Sequence, residues 1–178
     1  MSLSSSLPAA LAASVDRHPD RTVRLFDRRG RSLGRRTQPE VLASARDTAA
    51  RLSRLGVGEG DRVVVSLPTS WEWFDAWLGA VLAGALPLAA PSGGGVAAKG
   101  SHAARVAQIA HQVRAETLVC GAGLKAELEE LETPFSAFTP EELASSPPPP
   151  RFREARPDPR AIAYLQMTSG STGVPRAV

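Results

Sequence analysis

The apolar positions of this chain change period several times, and each change predicts an element. Val23 to Asp27 alternates weakly, Arg28-Arg29-Gly30 is a turn signal, and Ser32 to Arg36 follows. That order predicts a hairpin whose polar side is rich in arginine. Thr37 and Glu40 stand at capping-box spacing with Pro39 inside the first turn. Val41, Leu42, Ala45, Ala49, Leu52 and Leu55 then recur at helical spacing until Gly56 stops the run, which predicts an amphipathic helix. Gly58 to Asp61 turns the chain into Arg62 to Leu67, a β-branched run suited to an internal strand and ended by Pro68. Thr69 and Glu72 predict a second capping box, opening a helix from Trp71 to Ala83. That helix is apolar on nearly every face, so burial on both sides is expected. After Gly84, Ala85 to Ala90 reads as a further strand. Strand, helix and strand in this order predict a βαβ unit with a parallel, right-handed crossover.

The alternation repeats. Pro91 to Gly100 is a glycine-rich loop, and Val106, Ile109, Ala110 and Val113 place apolar groups on one face of a helix ending near Arg114. Thr117 to Cys120 is a short strand and Leu124 to Leu131 a short acidic helix. The expected class is therefore α/β, with a mostly parallel sheet. Residues 145–159 carry Pro147 to Pro150 and predict an extended, polyproline-like connector. No internal repeat is visible. A strand-like run, Ala161 to Leu165, then opens into Gln166-Met167-Thr168-Ser169-Gly170-Ser171-Thr172-Gly173-Val174-Pro175-Arg176.

That final stretch carries the chemistry. Gly170 and Gly173 let backbone amides approach a ligand closely, and successive amides in such a turn form a concavity that prefers anions. Thr168, Ser169, Ser171 and Thr172 add hydroxyl donors, and Arg176 adds a fixed charge that grips phosphate in a bidentate way. The combination reads as a polyphosphate cradle. It lacks the spacing of the Walker loop, and no G-x-G-x-x-G occurs in the chain. The string from Thr168 to Arg176 instead resembles the phosphate loop of adenylate-forming enzymes: acyl-CoA synthetases, peptide adenylation domains, luciferases and fatty acyl-AMP ligases. Arg176 stands where that family usually has lysine, and Ala177 where it usually has glycine. Gly56 to Val63 and Trp71 to Ala85 also resemble the family's N-terminal portion, and Leu165-Gln166 is most similar to the fatty acyl-AMP ligases.

The resemblance implies ATP-dependent activation of a carboxylic acid, most similar to fatty-acid activation, to an acyl-adenylate for transfer to coenzyme A or an acyl carrier protein thiol. It implies ATP as cofactor, with contacts at Thr168, Ser169, Gly170, Ser171, Thr172, Gly173 and Arg176. It also implies magnesium held by ligands downstream, no catalytic residue within these positions, and a C-terminal lid domain not included here. Residues 1–178 are thus expected to be a partial N-terminal adenylation domain, without turnover by itself. Two other readings stand beside it: a non-catalytic interaction module, and a basic nucleic-acid-binding domain.

Composition narrows these. Hydrophobic residues make up 43% and charged residues 22%, a balance that excludes wholesale disorder. No run reaches the roughly 18 apolar residues a membrane helix needs, and Met1 to Ser6 lacks the basic and apolar blocks of a secretory leader. Cys120 is the single cysteine, which excludes an internal disulfide and suits a cytoplasmic location. His18, His102 and His111 have no metal-ligand spacing. The arginines at 28, 29, 31, 35 and 36 come with no aromatic ladder, so a solvated hairpin is the simpler reading than nucleic-acid binding. Trp71, Trp73 and Trp77 are expected in the core rather than along an acyl tunnel. Cys120 reads as a small buried hydrophobe, His111 as a polar-face residue, and Glu127, Glu129, Glu130 and Glu132 as a solvated face.

Overall fold

The computed structural model describes residues 5–27, 29–93, 101–149, 151–168 and 177–178. Helix α1 (Leu7–Arg17) leads into the hairpin β1 (Thr22–Phe26) and β2 (Ser32–Thr37), followed by α2 (Gln38–Arg54). Then come β3 (Arg62–Ser66), α3 (Trp71–Leu82), β4 (Leu86–Ala89), α4 (Ser101–Val113), β5 (Thr117–Cys120), α5 (Ala122–Glu130), β6 (Ser136–Phe138) and α6 (Pro140–Ser145). β1 and β2 pair antiparallel, and the other strands form a sheet in the order β4-β3-β5-β6, parallel throughout. The expected α/β class and the βαβ units are present.

The sheet is covered on both faces, as parallel sheets require. Val64, Leu88, Leu118 and Cys120 point toward α4 and α5, where Ala103, Val106, Ile109, Ala110, Val113 and Leu128 meet them. Val63, Val65 and Val119 point the other way, onto Leu52 of α2, Ala76 and Ala80 of α3 and Leu143 of α6. The side chains of Val63, Val64 and Val65 are all fully buried, each contributing about 1.5–3 kcal/mol. A third cluster joins α2 to α3 through Leu42, Ala45, Ala49 and Leu82, with Phe152 of the proline-rich connector packed on it. The helices approach closely because Gly79 has no side chain: a Cβ there would lie 3.0 Å from Thr48 and 3.2 Å from the Ala45 carbonyl oxygen.

Helix termini are set by local chemistry. Thr37 accepts from the Glu40 amide while the Glu40 carboxylate accepts from Thr37, so the predicted capping box opens α2. The predicted box at Thr69 and Glu72 does not form. Ser70 caps α3 instead, accepting from the Trp73 amide at 3.2 Å. Its hydroxyl also holds the Glu72 carboxyl below the ordinary carboxylate value. One residue later in register, the same side-chain chemistry serves the next orphan amide, that of Trp73 instead of Glu72. A capping box at Thr139 and Glu142, which the sequence reading passed over, starts α6.

The connector is strapped down at several points. Arg51 donates to the carbonyls of Leu143, Ala144 and Ser146 at the end of α6, and Arg46 pairs with Glu154. The Ala155 amide donates to the Leu82 carbonyl at 2.9 Å. Arg36 fastens the hairpin to α3, donating to both Asp75 carboxylate oxygens at 3.1 Å and lying 4.6 Å above the Trp71 ring.

Candidate functional site

In an open parallel sheet the strands' carboxyl ends and the amino ends of the following helices share one edge, where ligands bind. Leu165 forms a parallel bridge with Leu88, and its amide donates to the Pro87 carbonyl at 3.0 Å. The run before the candidate loop therefore lies beside β4 and points the same way. The expected strand from Ala161 to Leu165 is reduced to that single bridge. Thr168, three residues past the Leu165 bridge to β4, leaves from the carboxyl edge.

The chain then returns. The amides and carbonyls of Gln166 and Val178 exchange two hydrogen bonds of 2.9 Å, and Met167 bridges Ala177 in antiparallel sense. These pairs form a neck on either side of the candidate loop. Of its predicted residues, Thr168 is described; Ser169, Gly170, Ser171, Thr172, Gly173 and Arg176 lie outside the described residues.

The amino end of α3 stands at this edge, and its dipole already meets a carboxylate in the first turn, that of Glu72. Ser66, buried at the end of β3, donates to the Pro91 carbonyl at 2.6 Å and ties the β3 and β4 ends together. His102, in the first turn of α4, packs on Gly93: a Cβ there would lie 3.3 Å from the imidazole. Its Nε2 is buried without a hydrogen-bond partner among the described residues. Ser66 and His102 were not singled out as site residues by the sequence reading. Ser66 had one available signal, a hydroxyl closing a run of valines where a strand meets the edge.

The tryptophans depart from their expected burial. Trp71, Trp73 and Trp77 are each half-buried among the described residues rather than fully enclosed. Trp73 stacks on Trp77 with centroids 6.1 Å apart, and Trp77 meets Tyr164 at 5.5 Å. Tyr164 and Ile162 are exposed on the same side of the run leading to Thr168. α3 is thus covered by the sheet and α2 but leaves an aromatic stripe only half-covered beside Tyr164.

Other expectations resolve simply. Cys120 is buried, and desolvation pushes its thiol up to about 11, a poor nucleophile. Among the described residues no group of three His, Cys, Asp or Glu could hold a metal ion, and no helix is long and apolar enough to cross a membrane.

Comparison with known proteins gives the same outline. A family model described as AMP-binding enzyme matches residues 11–178. The long-chain-fatty-acid–AMP ligase FadD23 of Mycobacterium tuberculosis is 29% identical over 193 residues, covering 99% of this chain and 31% of that protein. A solved structure from a study of fatty acyl-adenylate ligases of E. coli and L. pneumophila superposes with a TM-score of 0.80 at 25% identity, covering 94% of this chain and 31% of that one. The McyG A-PCP structure complexed with phenylalanyl-adenylate superposes with a TM-score of 0.82 at 17% identity, covering 98% and 32%. The chain spans about a third of the length of the curated ligases it matches.

Proposed function

The chain belongs to the AMP-binding enzyme family, and from that premise we propose that it supplies the phosphate-holding part of a ligase that activates a carboxylic acid with ATP. In this reaction a carboxylate oxygen of the acid attacks the α-phosphorus. The bond from that phosphorus to the bridging oxygen breaks, and pyrophosphate leaves with the electron pair. Charge on the departing group must be neutralised by donors already in place. The hydroxyls of Thr168, Ser169, Ser171 and Thr172, the amides around Gly170 and Gly173 and the Arg176 guanidinium take that part. The observation that carries the reading is the position of Thr168, which starts this string of donors at the carboxyl edge of the sheet, above a neck closed by Gln166 and Val178. Magnesium supplies further charge neutralisation in such reactions. In this reading its ligands lie downstream of these residues.

A fatty acid is the proposed substrate class. Support comes from Leu165-Gln166 and from similarity to FadD23, a long-chain-fatty-acid–AMP ligase. The acyl group then passes to coenzyme A or to a carrier-protein thiol, in the cytoplasm. Residues 1–178 act as the first part of the adenylating domain and have no turnover alone; acyl-AMP formation by the isolated chain would contradict this. The direct test joins the chain to the remaining two-thirds of a ligase and measures ATP–pyrophosphate exchange. Replacing Ser171 and Thr172 together by alanine should raise the ATP KM and lower kcat, for a combined loss of at least about tenfold in kcat/KM. Unchanged constants would refute the assignment.

A further inference from the structure

We infer that the outer face of the β1–β2 hairpin docks on an anionic lipid surface, with Phe26 and Leu33 entering the headgroup layer and Arg24 and Arg35 meeting the phosphates. The inference stands apart from the ligase reading. Positions 21–39 hold arginines at 21, 24, 28, 29, 31, 35 and 36 and a single carboxylate, Asp27. That carboxylate is consumed within the turn: it accepts from the amides of Arg29 and Arg31, both at 2.8 Å, and from the Arg31 guanidinium.

The two faces of the hairpin differ. Leu25 is buried, and Arg36 turns inward to Asp75 and the Trp71 ring, which ties the inner face to α3. Alternation along the strands sends Arg24, Phe26 and Arg35 the other way, and all three are exposed. Arg24 stands directly opposite Arg35 in the ladder. Like charges so placed weaken a strand pair, and an anion set against both guanidiniums relieves the repulsion. Glu40 feels Arg35 but gives its carboxylate to Thr37. The register slips by one residue between Leu25 and Phe26, which leaves Leu33 as the extra residue of β2 beside Phe26. Phe26 is 55% and Leu33 50% exposed. Apolar side chains next to paired cations suit a membrane interface, where the former enter the acyl boundary and the latter stay among the headgroups. A merely solvated hairpin needs the arginines but not the apolar pair. Duplex nucleic acid would likewise engage the cations and leave Leu33 without a role.

The test sediments the full 178-residue chain with vesicles of equal parts phosphatidylglycerol and phosphatidylcholine, and with vesicles of phosphatidylcholine alone. Binding to the anionic vesicles that falls with added salt is expected, with none to the neutral ones. Arg24→Gln with Arg35→Gln should weaken it by at least about tenfold, while Arg24→Lys with Arg35→Lys should retain most of it. Phe26→Ser with Leu33→Ser leaves the charge untouched and should also weaken it by at least about tenfold. Arg105→Gln with Arg156→Gln removes the same net charge from exposed positions elsewhere and should leave binding nearly unchanged. Circular dichroism checks that each variant is folded, and single substitutions replace any pair that is not. Absence of binding to the anionic vesicles would overturn the inference. So would an equal loss in the Arg105 and Arg156 pair, full binding by the serine pair, or tighter binding of duplex DNA lost through Arg24→Gln with Arg35→Gln.

Discussion

Replacing Gly84 with alanine should destabilise the chain by roughly 1.5–3.5 kcal/mol, for two separable reasons. Gly84 follows the end of α3 at φ +85°, a left-handed conformation. An alanine held there costs about 1–2 kcal/mol. The new Cβ would also lie 2.8 Å from the Ala155 Cβ of the connector and 3.3 Å from the Glu59 Cα. Relieving the first contact shifts the connector, and with it the 2.9 Å bond from the Ala155 amide to the Leu82 carbonyl. A weakened bond of that kind is worth about 0.5–1.5 kcal/mol. Gly56 isolates the backbone cost, since it has φ +91° and nothing within 4 Å of a Cβ. Gly56→Ala should therefore cost only the first amount, about 1–2 kcal/mol. Adding Ala155→Gly to Gly84→Ala removes the nearest clashing atom and should return the loss to the level of Gly56→Ala. Urea denaturation followed by tryptophan fluorescence measures all three variants. If Gly84→Ala costs no more than Gly56→Ala, or if Ala155→Gly brings no recovery, the connector does not constrain this turn as argued.

Arg51→Met should cost about 2–3 kcal/mol in the same assay, because three carbonyls at the end of α6 and the Asp47 carboxylate lose their donor. The folded state holds the carboxyls of Glu40, Glu72 and Glu142 below their ordinary value of 4.5, chiefly through hydrogen bonds from Thr37, Ser70 and Lys125 respectively. The unfolded chain thus takes up these protons first, so the stabilisation is complete above that value and drains as pH falls through the lower folded values. Thermal melts from about pH 6 to pH 3 should show this loss, with a shallower decline in Glu142→Gln. Cys120 should resist iodoacetamide at about pH 8 in the folded chain and react in urea, as mass spectrometry would record; rapid native labelling would contradict its burial.

Local and regular features were legible before any coordinates. Hairpin, α2, β3, β4, α4 and β5 all announced themselves through period changes bounded by glycine, proline or a capping residue. α1 was missed because Leu7, Leu11 and Val15 sit among alanines and serines, too few large apolar groups for a clear stripe. β6 spans only Ser136–Phe138, and its pairing with β5 is nonlocal, so three residues carry no periodic signal. α3 was recognised as a helix, but its aromatic side was expected to be enclosed. Hydropathy reports that a side chain avoids water and does not identify what covers it. For the site, the donors were readable as residue types. The position of Leu165 beside β4, which sets where Thr168 begins, was not, because its parallel contact with Leu88 joins positions far apart in the chain.

The mutual bonds of Gln166 and Val178 have an engineering consequence. They hold two chain positions about 5.5 Å apart at the rim of the sheet, as a clasp holds the ends of a necklace. Whatever lies between them is attached at both ends to a frame that β4 already anchors. Segments of altered length or composition could thus be spliced in at Met167 and Ala177 without shifting the register of the strands beneath. The fold offers a socket in which the intervening segment can be exchanged as a unit.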